Sequence, residues 1–194
     1  MFTDVESKLK RKNQILFSRD SECLQPLIRL IELQTHRTLV MWALDAAKVT
    51  LKEFEEKYPE EKRPQTCLRL SEDWARGRIK MKDAKRAILD AHAAAKDMDD
   101  KPYQALCHAI GHAGATVHVE THALGLVMYE LTALVLRYGK ESFQKPVSEK
   151  IEYYQERLLY WQENKDKMDL EWADFLLDDS SINKEKLLNQ KRKP

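Results

Sequence analysis

Glycine and proline are scarce in this chain of 194 residues, occupying five and six positions. No stretch alternates apolar and polar residues at period two, as a half-buried strand would, and Ala, Leu, Glu, Lys and Arg dominate. The sequence therefore predicts an all-α fold. Cysteine is nearly absent too: Cys23, Cys67 and Cys107 are odd in number, widely spaced and without a CxxC. That argues against a disulfide scaffold and for buried, reduced thiols in a cytoplasmic protein. No run of about 18 residues is free of charge and apolar throughout, and the opening "MFTDVESKLKRKNQ" has no apolar h-region. Neither a membrane span nor secretion is expected. Charge of one sign is also missing, since 33 basic against 32 acidic residues leave a net +1. No whole-chain field draws the protein to nucleic acid or to an anionic membrane.

What is present is a helical pattern with clear punctuation. A chain of this length buries roughly 70% of its unfolded surface, enough for one domain. Proline suits a first helical turn and breaks an interior one, so the prolines and charged turns divide the chain. A first helix is expected from Thr3 to about Ser18 and a second from Ser21 or Pro26 to Gln34. Thr35 caps a long helix ending near Tyr58-Pro59. Another runs from Pro64 to a C-cap at Gly77, followed by "KDAKRAILDAHAAAKDM". Asp99 or Asp100 caps the next, with Pro102 in its first turn, and that element reaches Tyr138-Gly139 as one long helix or two with a bend. A last helix starts near Val147 and carries Ile151, Tyr154, Leu158 and Trp161. The expected architecture is a single-domain multi-helix bundle with an Ala/Gly/His-rich central helix pair. It divides into an N-terminal extension (1–34), a core (35–140) and a C-terminal extension (141–194). Residues 163–179 carry seven acids against two bases, with enough Leu, Trp and Phe for a short docked helix. The closing "KRKP" reads as a solvated end, because a nucleic-acid arm needs a longer basic block.

The densest chemistry lies in "CHAIGHAGATVHVETHALG", which holds four of the six histidines. On one continuous helix, at about 100° per residue, His108, His112, His118 and His122 share an arc of about 120°. At 1.5 Å per residue His108 and His122 would be about 21 Å apart, so one ion cannot take all four. Each HxxxH pair can offer two metal ligands from one turn, but zinc needs a third from another helix. The glutamate that follows the first histidine in zincins is replaced by Ala109 and Val119, and "VETH" gives Glu-x-His in place of the Glu-x-x-His of di-iron bundles. Cys107 points about 100° away from His108, so no nucleophile–base pair forms. The interleaved Ala105, Ala109, Gly111, Ala113, Gly114, Ala115 and Ala123 permit close helix approach. The sequence thus favours a packing seam in which the histidines form a hydrogen-bond network that sets helix register. A metal or ligand site at His108, His112, His118 and His122, and a protonation-sensitive partner surface, are the alternatives. His92, in "LDAHAAAK", can meet this seam from another helix. No cofactor is expected.

Other residues stand out by context. Trp42, Trp74, Trp161 and Trp172 read as packing anchors. Asp45, set in "MWALDAAKV", is either the partner of a buried histidine or arginine or a solvent-facing acid. "YYQERLLYW" reads as a core helix, with an exposed docking face as the alternative.

Taken in order, "HRTLVMWALDAAKVTLKEFEEKYPEEKRP", "SEDWARGRIKMKDAKRAILDAHAAAKD" and "ALCHAIGHAGATVHVETHALGLVMYE" resemble the immunity-protein-five-like family of bacterial polymorphic toxin systems. The resemblance covers about residues 36–138. It rests on Trp42 and Asp45, on Arg63 and Pro64, on Trp74, Ala75 and Gly77, and on His92, Gly111, His112, His118 and His122. Arg78 stands where the family pattern has an acidic residue, and His108 lies outside the pattern. The resemblance implies a helical cytoplasmic protein that binds and neutralises a cognate toxin without catalysis; segments 1–34 and 141–194 lie outside it and are the candidates for partner specificity. The alternative is a metal- or ligand-binding helical enzyme using the histidine cluster. A homodimer through an alanine-rich seam is a further expectation left open.

Overall fold

A computed structural model describes residues 1–192, so Lys193 and Pro194 of the "KRKP" end lie outside the described residues. Among the described residues ten α-helices follow one another: α1 Thr3–Lys10, α2 Gln25–Ile31, α3 His36–Lys57, α4 Arg63–Ala75, α5 Met81–Ala94, α6 Lys101–Ala115, α7 His122–Tyr138, α8 Gln144–Asn164, α9 Asp174–Leu177 and α10 Lys184–Arg192. No strand occurs among the described residues, and the fold is all-α.

The N-terminal helix is shorter than its sequence suggests. It stops at Lys10 instead of Ser18, because "KRKNQ" offers no apolar face to bury, and Lys12 turns the chain in the left-handed region with φ of 57°. The following segment runs non-helically and delivers Leu16 and Phe17 into the core, with the Leu16 amide donating to Thr132 Oγ1 at 3.1 Å. Downstream, α3 begins where Thr35 accepts from the Thr38 amide at 3.4 Å, a cap contributing about 1 kcal/mol. The turn after α4 rests on Gly77 at φ +72°, where a side chain would be strained and the backbone of Ala173 passes close by.

The histidine-rich stretch forms two helices, not one. Between Ala115 and His122 the sequence "TVHVET" is rich in β-branched residues, which are poor helix formers. Val117 enters the core, and Thr116 Oγ1 bonds back to the His112 carbonyl at 3.0 Å. His108 lies beside Tyr129 and His112 beside His122, so α7 returns antiparallel along α6.

The main hydrophobic core draws on helices from end to end, including Val5, Leu39, Leu124, Tyr154 and Leu176. At its centre Trp42 is fully buried. Its Nε1 donates to the Tyr154 carbonyl at 3.0 Å, and its ring meets that of Tyr154 edge-on at 5.5 Å. The Tyr154 hydroxyl in turn donates to buried Glu130, which pairs with Lys150 at 2.7 Å. The C-terminal segment docks as α9 and α10. The Ala173 amide bonds to the Ala75 carbonyl at 2.9 Å, and Asn183 Nδ2 reaches the Ile31 and Gln34 carbonyls, each at 2.9 Å. Arg19 grips buried Glu185 through Nε at 2.5 Å and a terminal nitrogen at 2.9 Å.

Candidate functional site

The corner at 116–121 brings together residues that a continuous helix would have spread along about 21 Å. His92 from α5, His108 and His112 from α6, and His122 and Tyr129 from α7 form one row of rings. His92 Nδ1 is 2.9 Å from His108 Nδ1, and His112 Nδ1 is 3.2 Å from His122 Nδ1. His92 meets His112 edge-on with ring centres 5.2 Å apart, and the Tyr129 ring stacks on His112 at 5.2 Å. The pairing therefore runs between helices, in place of the HxxxH pairs suggested by spacing. His118 is not in the row; it is exposed on the corner and stacks on Trp74 at 6.1 Å.

Two glycines make room for this row. A Cβ on Gly111 would stand 2.7 Å from the His92 ring, and one on Gly125 would stand 2.5 Å from His112 Nδ1. Mid-helix glycine costs about 1 kcal/mol relative to alanine, and here the bare backbone lets an imidazole lie flat against the helix. Gly114 plays a different part, admitting Ser71 and Cys67 of α4.

Burial and mutual repulsion keep these imidazoles neutral. Burial, then the neighbouring His108 and His122, pushes His92 down to about 4. Burial, then His92 and His122, pushes His112 down to about 3. His108 and His122 are also lowered, in both cases chiefly by burial. Neutral imidazole carries one N–H and one lone pair, so each Nδ1–Nδ1 contact holds one proton between two rings. At 2.9 Å, the His92–His108 pair is tighter than the edge of about 3.3 Å that a tetrahedral zinc shell with bonds of about 2.0 Å would give. Among the described residues, no group of three His, Cys, Asp or Glu side chains is placed to hold a metal ion. Burial pushes the thiol of Cys107 up to about 12, far from a thiolate nucleophile at neutral pH.

The other singled-out residues lie elsewhere. Asp45 accepts from Arg157 Nε at 2.9 Å, from a second guanidinium nitrogen at 2.6 Å and from Trp161 Nε1 at 2.9 Å, tying α3 to α8. Trp74 packs between His118 and Phe175, on the side where α9 docks. Arg63, which the resemblance singles out, grips Glu61 and Asp97. Arg78 is paired within its own turn with Asp73 at 2.5 Å. Tyr129 was not visible as a member of the row from composition. Its signal is spacing, since Gly125 and Tyr129 follow His122 by three and seven residues on one face of α7.

The fold and this row define an all-helical scaffold braced by a self-paired histidine cluster. A family model described as "Imm-5 like putative immunity protein" matches residues 29–157, and the chain belongs to that family. The match extends beyond the 36–138 stretch of resemblance to include most of α8. Neither a curated protein nor a solved structure matches the chain.

Proposed function

We propose that this protein acts in the cytoplasm as an immunity protein that binds a cognate bacterial toxin and neutralises it by occlusion, without catalysis of its own. Family membership over residues 29–157 carries this reading. Two features agree with it. His92, His108, His112 and His122 are kept neutral by burial and paired with each other, which serves rigidity. The periphery offers what a docking surface needs: exposed Phe175, Leu177 and Ile182 stand among Asp174, Asp178 and Asp179 in the C-terminal segment, outside the matched region. The enzyme reading of the histidine cluster gains no comparable observation.

Co-expression with toxins encoded beside the gene tests the proposal. Rescue of growth, together with a stoichiometric complex on size exclusion, is the expected result. Failure to bind or rescue against every adjacent toxin overturns it. The same column reports whether the chain alone is a monomer or a homodimer; the alanines of its seams are buried within the chain, so a dimer would use another surface.

A further inference from the structure

A cleft of about 430 Å³ opens between the end of α1 and the α6–α7 pair, next to the histidine row. Leu9 and Leu136 supply apolar wall, Tyr129 and His108 line it as well, and Lys12 and Lys101 bring two cations; no acidic side chain lines it. Neither lysine has an ion-pair partner among the described residues, whereas Lys57 and Lys150 each hold a carboxylate. The Tyr129 hydroxyl has no hydrogen-bond partner there either. Burial raises its pKa, so it remains a donor. Lys12, at φ of 57°, is the left-handed residue that closes α1, with the Asn13 amide bonded to the Lys8 carbonyl at 3.1 Å, and its side chain lines the cleft. Asn13, Gln14 and Gln104 complete the polar part of the lining, and a cleft of this size that joins apolar wall to polar side chains has the dimensions of a small-molecule site.

We propose that this cleft binds a small amphipathic anion, a carboxylate or phosphate monoester on an aromatic or branched apolar body. The anionic head sits between Lys12 and Lys101, within reach of the Tyr129 hydroxyl. The body lies against Leu9 and Leu136. His108 closes the inner end, its imidazole already committed to His92. The site is independent of toxin binding and stands or falls separately from it.

The test is a ¹H–¹⁵N titration of the full chain with phenyl phosphate, with benzoate, and with benzyl alcohol as the uncharged body of similar size. Saturable shifts are expected at Lys12, Gln104, His108 and Tyr129 with an anion and not with the alcohol. Lys12→Gly, which suits the positive φ, and Lys101→Gln should each weaken binding about two- to fivefold while the rest of the spectrum is unchanged. Binding of one anion alone supports the proposal and identifies the head group. It is overturned by the absence of saturation with both anions, by an equal response to benzyl alcohol, or by undiminished binding when Lys12→Gly and Lys101→Gln are combined.

Discussion

Acidification from pH 7 to pH 5 should loosen the fold through its imidazole row. Burial and the neighbouring imidazoles push His92 down to about 4 and His112 down to about 3, from about 6.5 for an unperturbed histidine. A depressed folded pKa means that the unfolded chain binds the extra proton. The stabilisation is therefore complete above about 6.5 and drains as the pH falls toward the folded values. Below 6.5 each such residue costs about 1.4 kcal/mol per pH unit, so at pH 5 each contributes a loss of about 2 kcal/mol and the two together about 4. Solvent reaches the edge of the row and neighbouring rings take up protons stepwise, which brings the expected loss to about 2–4 kcal/mol. His36, His108 and His122 are lowered as well and act in the same direction. The lowered carboxylates Asp4, Glu61 and Asp100 lose their contribution only as the pH falls below the ordinary carboxylate range, which leaves the pH 5–7 window to the histidines. Urea unfolding at pH 7, 6 and 5 measures the effect, and with a slope of about 2 kcal/mol per molar the midpoint should fall by about 1–2 M. Replacing His92 and His112 together by Gln should remove at least half of that dependence. Equal stability at pH 5 and pH 7, or an undiminished dependence in the double variant, would refute the reasoning.

Gly125→Ala places a methyl 2.5 Å from His112 Nδ1. It should destabilise by about 1–3 kcal/mol in thermal melts, opposite to the gain expected from helix propensity, and adding His112→Ala should restore part of the loss. Asp45→Ala removes the acceptor shared by Arg157 and Trp161 and should cost about 1–2 kcal/mol; a blue-shifted or unchanged Trp161 emission would contradict the loss of its polar partner. Arg19→Ala leaves the buried Glu185 carboxylate without its bidentate partner. It should cost about 2–3 kcal/mol and expose the α10 segment to limited proteolysis well before the core is cut.

The helices were legible where local chemistry decides them: Thr35 caps α3, Pro64 and Pro102 sit in first turns, and Gly77 takes the left-handed turn after α4. Legibility failed where tertiary burial overrides local preference. The stretch after Lys10 leaves the helix because Leu16 and Phe17 are drawn into the core by helices more than a hundred residues away. The histidine row failed for the same reason. Periodicity describes positions on one axis, but the corner at 116–121 folds that axis back, so residues ten apart become hydrogen-bond partners. The β-branched run in "TVHVET" carried the hint of a break, and Gly125 carried the hint of a ring seated against it.

The contacts of the C-terminal segment also set the timing of the protein's assembly. Arg19 waits for Glu185, and buried Glu120 waits for the amide of Lys184 at 2.8 Å. Translation supplies the donors and acceptors of the early elements long before it supplies their counterparts, so part-buried Arg19 and buried Glu120 stay without these partners until α10 has been made. A ribosome stalled between Arg157 and α10 would yield a product with the family region complete and these two contacts missing.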